Sequence, residues 1–220
     1  HGFSGPIYAT QPTEEVARLI LLDSARIQEE DAERANRGGY SKHSPAEPLY
    51  TVKDAEAVFP LFCKRESNEW ITIAEDSSFR MQYNGHIIGA TFVELQIGVK
   101  RLVFSGDIGR PKDPLLFPPQ KPDRADFLFI ESTYGNRIHE EDPKKQLAEA
   151  ILKAVEKNGT ILIPSFAVER TQLLMYYLWE LRQEKIIPHI PIYMDSPMGT
   201  RVLDVFRNNL LWHRISPAVA

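Results

Sequence analysis

Apolar and polar positions change their period twice along the chain, dividing it into three stretches. In the first, Val16, Leu19, Ile20 and Ile27 recur at helical spacing between Thr13 and Ala32, with Glu14 and Glu15 where the positive end of a helix dipole would lie. Residues 34–48, punctuated by Gly38, Gly39, Pro45 and Pro48, read as a loop. Thr51 and Asp54 have capping-box spacing and open a short helix that Pro60 limits. The second stretch is β-rich. Strands are expected over Trp70–Ala74, Phe79–Tyr83, Thr91–Leu95 and Arg101–Phe104, bounded by turns at Asp76-Ser77-Ser78, Asn84-Gly85 and Gly98.

In the third stretch alternation gives way to continuous apolar runs. Phe127–Ile130 and Thr160–Ile163 have the form of strands buried on both faces of a parallel sheet. Between them Asp142 can cap a helix with Pro143 at its first position, an inward face of Leu147, Ile151, Ala154 and Val155, and a stop at Asn158-Gly159. A second helix over residues 168–183 presents Leu174, Tyr177, Leu178 and Leu181 and leads into a strand at Ile190–Met194, with a third helix from Met198. This βαβαβ order predicts an α/β fold with a parallel sheet.

Composition adds little, with 43% apolar and 25% charged residues excluding collagen-like and disordered classes. No apolar run approaches the roughly 18 residues of a membrane span, and no signal-peptide pattern opens the chain. Cys63 is the only cysteine, which rules out an intrachain disulfide and an all-cysteine metal site, and makes a reducing, cytoplasmic setting the expectation. The net charge of −4 argues against a protein coated in basic residues. Charge is uneven: residues 1–135 hold 15 Lys+Arg against 20 Asp+Glu, and residues 136–220 hold 11 against 10. A domain boundary near Gly135 would account for the shift. The start at His1 without an initiator Met, and the stop at Ala220 soon after a helical pattern, lead us to expect an internal fragment.

Candidate chemistry sits where apolar runs end in small or polar residues, as ligands gather at the carboxyl ends of strands in α/β sheets. There are four such ends: Ser105-Gly106-Asp107, Glu131-Ser132-Thr133, Pro164-Ser165 and Asp195-Ser196. Gly106 and Gly109 let the backbone turn sharply around Asp107, whose carboxylate could bridge cations, and His86 is a zinc-type imidazole beside Gly85. Taken singly, His86 reads as a surface histidine and Asp107 as ordinary turn chemistry. Glu131 ends an apolar strand and needs a partner: a helix N-terminus, an arginine, or a histidine that it would orient. Arg170, in the first turn of a helix, could join free N–H groups in holding phosphate, or pair with Glu169 at the surface. His139-Glu140 is no zincin motif, since Pro143 stands where the second histidine would be; His43, His189 and His213 read as surface residues. P-loop, G-x-S-x-G and G-x-G-x-x-G patterns are absent.

Four motifs in order, Asn84-Gly85-His86-Ile87-Ile88-Gly89-Ala90, Ser105-Gly106-Asp107-Ile108-Gly109, Glu131-Ser132-Thr133-Tyr134-Gly135-Asn136-Arg137 and Pro164-Ser165-Phe166-Ala167-Val168-Glu169-Arg170-Thr171-Gln172, resemble the β-CASP branch of the metallo-β-lactamase superfamily. The likeness is to RNA-processing nucleases related to the pre-mRNA cleavage endonuclease, and it runs from Gly5 to Met198. It implies a partial αββα metallo-β-lactamase sandwich over residues 1–135, followed by the start of a parallel α/β β-CASP domain over 136–220. His86 would bind one of two zinc ions, and Asp107 would bridge both and serve catalysis. Glu131 would orient a histidine that protonates the leaving group, while Ser165, Phe166, Arg170 and Ser196 would face substrate. The implied partner is RNA, with no membrane and with homodimerisation left open. The H-x-H-x-D-H motif is expected before His1, which itself is not counted as a ligand, and two further histidines after Ala220. The fragment is therefore expected to be inactive by itself. Asn84 stands where the family often has a small apolar residue. Alternatives are a DNA-directed nuclease of the same superfamily, a non-catalytic RNA-processing scaffold and a generic α/β binding domain; endo- and exonucleolytic cutting are not distinguished.

Overall fold

The computed structural model describes residues 2–137 and 142–216. Its centre is a five-stranded mixed sheet whose spatial order follows the chain: β3 (Ile71–Ala74), β4 (Ser77–Tyr83), β5 (Thr91–Ile97), β6 (Lys100–Phe104) and β7 (Phe127–Phe129). The first four strands are antiparallel neighbours, and β7 joins β6 in parallel, pairing Val103 with Leu128. A separate parallel pair joins β1 (Ile7–Ala9) to β2 (Phe62–Lys64). The helices are α1 (Gln11–Gly38), α2 (Val52–Val58), α3 (Pro143–Glu156), α4 (Arg170–Gln183) and α5 (Pro197–Asn208). The protein is thus a mixed α/β fold.

Capping chemistry sets the helix starts. The Thr10 hydroxyl accepts from Thr13 N–H at 3.3 Å, Thr51 and Asp54 form a reciprocal capping box, and Asp142 accepts from Lys145 N–H with Pro143 at the first helical position. The first helix runs on to Gly38, well past Ala32, because Gly39 takes a left-handed conformation and closes it with an N–H bond to Ala35. Its buried face is Pro12, Glu14, Val16 and Ala25, whereas Ile20 and Ile27 are exposed.

Two expected strands are absent as strands. Residues 160–163 and 190–194 carry no ladder partner among the described residues, and Leu162 and Tyr193 are about nine-tenths exposed. A continuous apolar run becomes a strand only when a neighbour satisfies its backbone groups, and among the described residues none pairs with these two runs. Similarly, Phe127, Leu128, Phe129 and Ile130 are more than half exposed although β7 pairs on one side with β6.

The larger buried cluster joins the two parts of the chain. Val16, Ile88, Leu115 and Leu116 pack with Leu173, Val202, Val205 and Phe206, so α1, the loop after β6, α4 and α5 share one core. Ala148, Ile151, Leu181 and Ile187 form a second cluster between α3 and α4. His213, expected at the surface, is buried in the first region. Its Nε2 lies 2.9 Å from the Phe206 carbonyl and its Nδ1 accepts from Ile215 N–H, a satisfied core histidine whose two nitrogens both find local backbone. His43 and His189 are exposed as expected, while His139 and Glu140 lie outside the described residues.

Candidate functional site

The loop after β4 and the loop after β6 are built as one unit. Asn84 is 2% exposed; its Nδ2 donates to the Ser105 carbonyl at 3.1 Å, its Oδ1 accepts from His86 N–H, and its own carbonyl accepts from Gly109 N–H at 2.9 Å. Gly85 has φ +69°, and a Cβ there would meet the Phe117 carbonyl at 2.5 Å. At Gly109 a Cβ would overlap the carbonyl of Gly85 outright. Only hydrogen fits between the two loops, which accounts for both glycines. Asn84 is a staple between them, a role that a small apolar residue could not fill.

This packing brings His86 and Asp107 together. Their Nε2 and Oδ2 atoms are 3.6 Å apart, with side chains 41% and 71% exposed. Two ligands about 2.1 Å from one tetrahedral cation would sit about 3.4 Å apart, so the pair suits a shared metal and supplies the nitrogen and oxygen donors that zinc takes. Among the described residues no group of three or more His, Cys, Asp or Glu side chains could hold a metal. The pair fits as part of a metal site and does not complete one.

Glu131 closes the same region from the end of β7. Its backbone N–H donates to the Ser105 hydroxyl at 3.0 Å, and its Oε1 accepts a short hydrogen bond from Ile108 N–H. The carboxylate therefore fastens the Asp107 loop to the strand end, answering the need for a partner with a backbone amide.

A cleft of about 980 Å³ opens over these groups and is lined by His86, Asp107 and Glu131 on one side and by Ser165, Phe166 and Arg170 on the other. Arg170 is exposed at the first residue of α4, and Phe166 is 81% exposed. Three of the four apolar-run ends thus meet. The fourth does not: Ser196 accepts from Gly199 N–H at 3.0 Å as the N-cap of α5, and Met198 lines the cleft in its neighbourhood.

Residues overlooked in the sequence hold the far wall. Thr171 and Gln172 are buried, the Thr171 hydroxyl donating to the Phe166 carbonyl at 2.8 Å and Gln172 Nε2 donating to the Ala167 carbonyl at 3.1 Å. Glu169 is buried too, with neither carboxyl oxygen hydrogen-bonded among the described residues. Burial, reinforced by Asp113, pushes its carboxyl up to about 8; the Ile88 amide, outside bonding geometry, and Arg170 offset this only in part. Burial likewise raises the Tyr83 phenol, with Glu169 and Asp113 adding to the effect and the Phe117 amide opposing it.

Residues 171–218 match the Beta-Casp domain family. Ribonuclease TTHA0252 of Thermus thermophilus is 31% identical over 207 residues, an overlap of 93% of this chain and 43% of the relative. Endoribonuclease YSH1 of Candida glabrata is 29% identical over 93% of this chain and 26% of its own length. These matches support the resemblance to β-CASP nucleases, with a Beta-Casp domain match over residues 171–218 and similarity to proteins named as ribonucleases over nearly the whole chain. Transcription termination factor FttA of Methanosarcina mazei is 30% identical over 89% of this chain and 30% of its own length. The chain spans less than half the length of these relatives. The β-CASP match takes in α4 from its second residue and all of α5. The far wall of the cleft is built on that helix pair, and the His86–Asp107 wall on the sheet.

Proposed function

We propose that the whole protein is a zinc-dependent ribonuclease acting on RNA phosphodiester bonds in cytoplasmic RNA processing or decay. The observation that carries this reading is the approach of His86 to Asp107 within a cleft whose opposite wall offers an arginine and an aromatic face. That the relatives are named as ribonucleases and a transcription termination factor supports RNA as substrate. In this reading residues 1–135 are part of a metallo-β-lactamase domain and 136–220 the first part of the β-CASP domain.

Two bound zinc ions would supply a hydroxide nucleophile and Lewis-acid stabilisation of the phosphorane-like transition state. His86 would hold one through Nε2 and Asp107 would bridge both, with further ligands drawn from the whole protein. The amide bond of Glu131 to Ile108 keeps the Asp107 loop in place, and its carboxylate is suited to orient a histidine acting as general acid. Arg170 presents a guanidinium fork to a phosphate from the first residue of α4. Phe166 offers a stacking face for a base, and the Ser165 hydroxyl a further polar contact. Metal charge on one wall and Arg170 on the other would suffice to hold a backbone, so a net charge of −4 is no obstacle.

Cleavage of a labelled single-stranded RNA and of the matching DNA by the full-length protein tests the reading. Asp107→Asn is expected to lower RNA cleavage by about a hundredfold or more, the loss of a few kcal/mol of metal-borne stabilisation. An Asp107→Asn protein as active as wild type would remove the metal-bridging role. Cleavage of DNA in preference to RNA would replace the substrate.

A further inference from the structure

Glu169 is given no metal or phosphate role in the ribonuclease reading, yet two features coincide in it. It adopts φ +67° and ψ −52°, and Arg170 N–H donates back to the Val168 carbonyl at 2.8 Å. This is a γ-turn of the strained hand, a conformation that persists only when its surroundings enforce it. The residue is also only 7% exposed, and both carboxyl oxygens are unpartnered among the described residues. A glycine would meet the turn without strain, and a leucine or methionine would fill the space without an orphaned polar group. A glutamate carries both penalties, a combination expected where the side chain is kept for a purpose beyond packing.

The turn cannot relax by sliding. On one side Thr171 and Gln172 grip the carbonyls of Phe166 and Ala167, and Gln172 Nε2 also reaches the Gly199 carbonyl at 3.4 Å. On the other, Leu173 N–H bonds the Glu169 carbonyl at 2.9 Å and starts α4. The last residue of the turn is Arg170, exposed on the cleft.

We propose that Glu169 is a positioning residue, whose buried side chain pins the strained turn that presents Arg170 to the RNA backbone. The role of Arg170 in that statement rests on the ribonuclease reading. The groups facing the carboxyl are Asp113, Tyr83, the Ile88 amide and Arg170 itself. In such surroundings the uncharged acid stays beneath the cleft floor. Ionised, it would turn to the nearest water, which is the cleft, and occupy the Arg170 guanidinium in place of a phosphate.

The test uses the full-length protein with Glu169→Gln, Glu169→Ala and Glu169→Gly, reading KM and kcat for a short single-stranded RNA and, without RNA, hydrogen exchange of the first amides of α4. Glu169→Gln, neutral and of the same shape, should match wild type in KM and kcat and exchange no faster than wild type at Thr171–Leu173. Glu169→Ala should raise KM about tenfold, equivalent to about 1.4 kcal/mol of ground-state contact, leave kcat within about twofold, and speed exchange at Thr171–Leu173 while strands β4 and β5 exchange as before. Wild-type exchange in Glu169→Ala, or a Glu169→Gly protein indistinguishable from wild type, would overturn the proposal, since the backbone conformation alone would then be enough. Because exchange is read without substrate, a failure to cleave RNA counts against the nuclease reading and leaves the pinning of the turn by Glu169 to be decided by exchange alone.

Discussion

At Glu169 burial decides the charge state and so the pH dependence of folding. The ordinary carboxyl value near 4.5 rises to about 8 in the folded chain, chiefly through desolvation. Between those values the unfolded chain has released a proton that the folded chain still holds. Stability from this group is therefore fully present below about 4.5 and declines as the pH climbs to and through about 8. At about 1.4 kcal/mol per unit the loss amounts to several kcal/mol. Thermal unfolding of wild type and Glu169→Gln, followed from pH 5 to 9, should show the variant gaining steadily on wild type as the pH rises; parallel curves would mean that Glu169 is already charged when folded. None of this was legible in the sequence, where Glu169 beside Arg170 reads as a surface ion pair. Burial depends on residues far along the chain, on Ile88 and Asp113. His86, Asp107, Glu131, Ser165, Phe166 and Arg170 were legible, because each follows the end of an apolar run or opens a helix, and the structure brings all six to one cleft. Ser196 stands before Pro197 as the cap of α5, outside the residues that line the cleft, because a serine there serves equally well as a helix cap.

At the scale of elements, the cleft depends on two loops that interlock through glycine. Gly109→Ala would drive a methyl into the Gly85 carbonyl, which is backbone and cannot swing aside. The expected outcome is a loss of about 1–3 kcal/mol or more from overpacking, with His86 and Asp107 displaced from each other. Gly98, in the β5–β6 turn at φ +53°, has nothing within 4 Å of an added Cβ. Gly98→Ala should therefore show only the strain of positive φ, about 1 kcal/mol. Denaturant unfolding of the two variants distinguishes them, and equal midpoints would mean that the loops do not interlock. The antiparallel strands were legible because alternation and turn residues are local signals. The β1–β2 pair was not, since its three-residue strands lie more than fifty residues apart. Residues 160–163 and 190–194 misled for the opposite reason: their composition fits a strand buried on both faces, but composition does not supply a hydrogen-bonding neighbour.

Over the whole molecule, the proposed domains are joined by a shared core rather than a bare linker. Val16 and Leu115 pack in the same cluster as Leu173 and Phe206, which fixes the sheet wall of the cleft relative to the helix wall. The charge difference across Gly135 marks a change in surface composition, but the buried contacts cross it. No helix among the described residues is long and apolar enough to cross a membrane. The chain spans 43% or less of the length of these relatives, and the proposed function rests on a metal site in the whole protein. Elemental analysis of the full-length protein, as wild type, His86→Ala and Asp107→Asn, is the decisive measurement. About two zinc ions per wild-type chain are expected, with a clear deficit in both variants. Wild-type zinc content in His86→Ala and Asp107→Asn would refute the proposed site, because the metal would then be held by residues other than the pair that the two interlocked loops bring together.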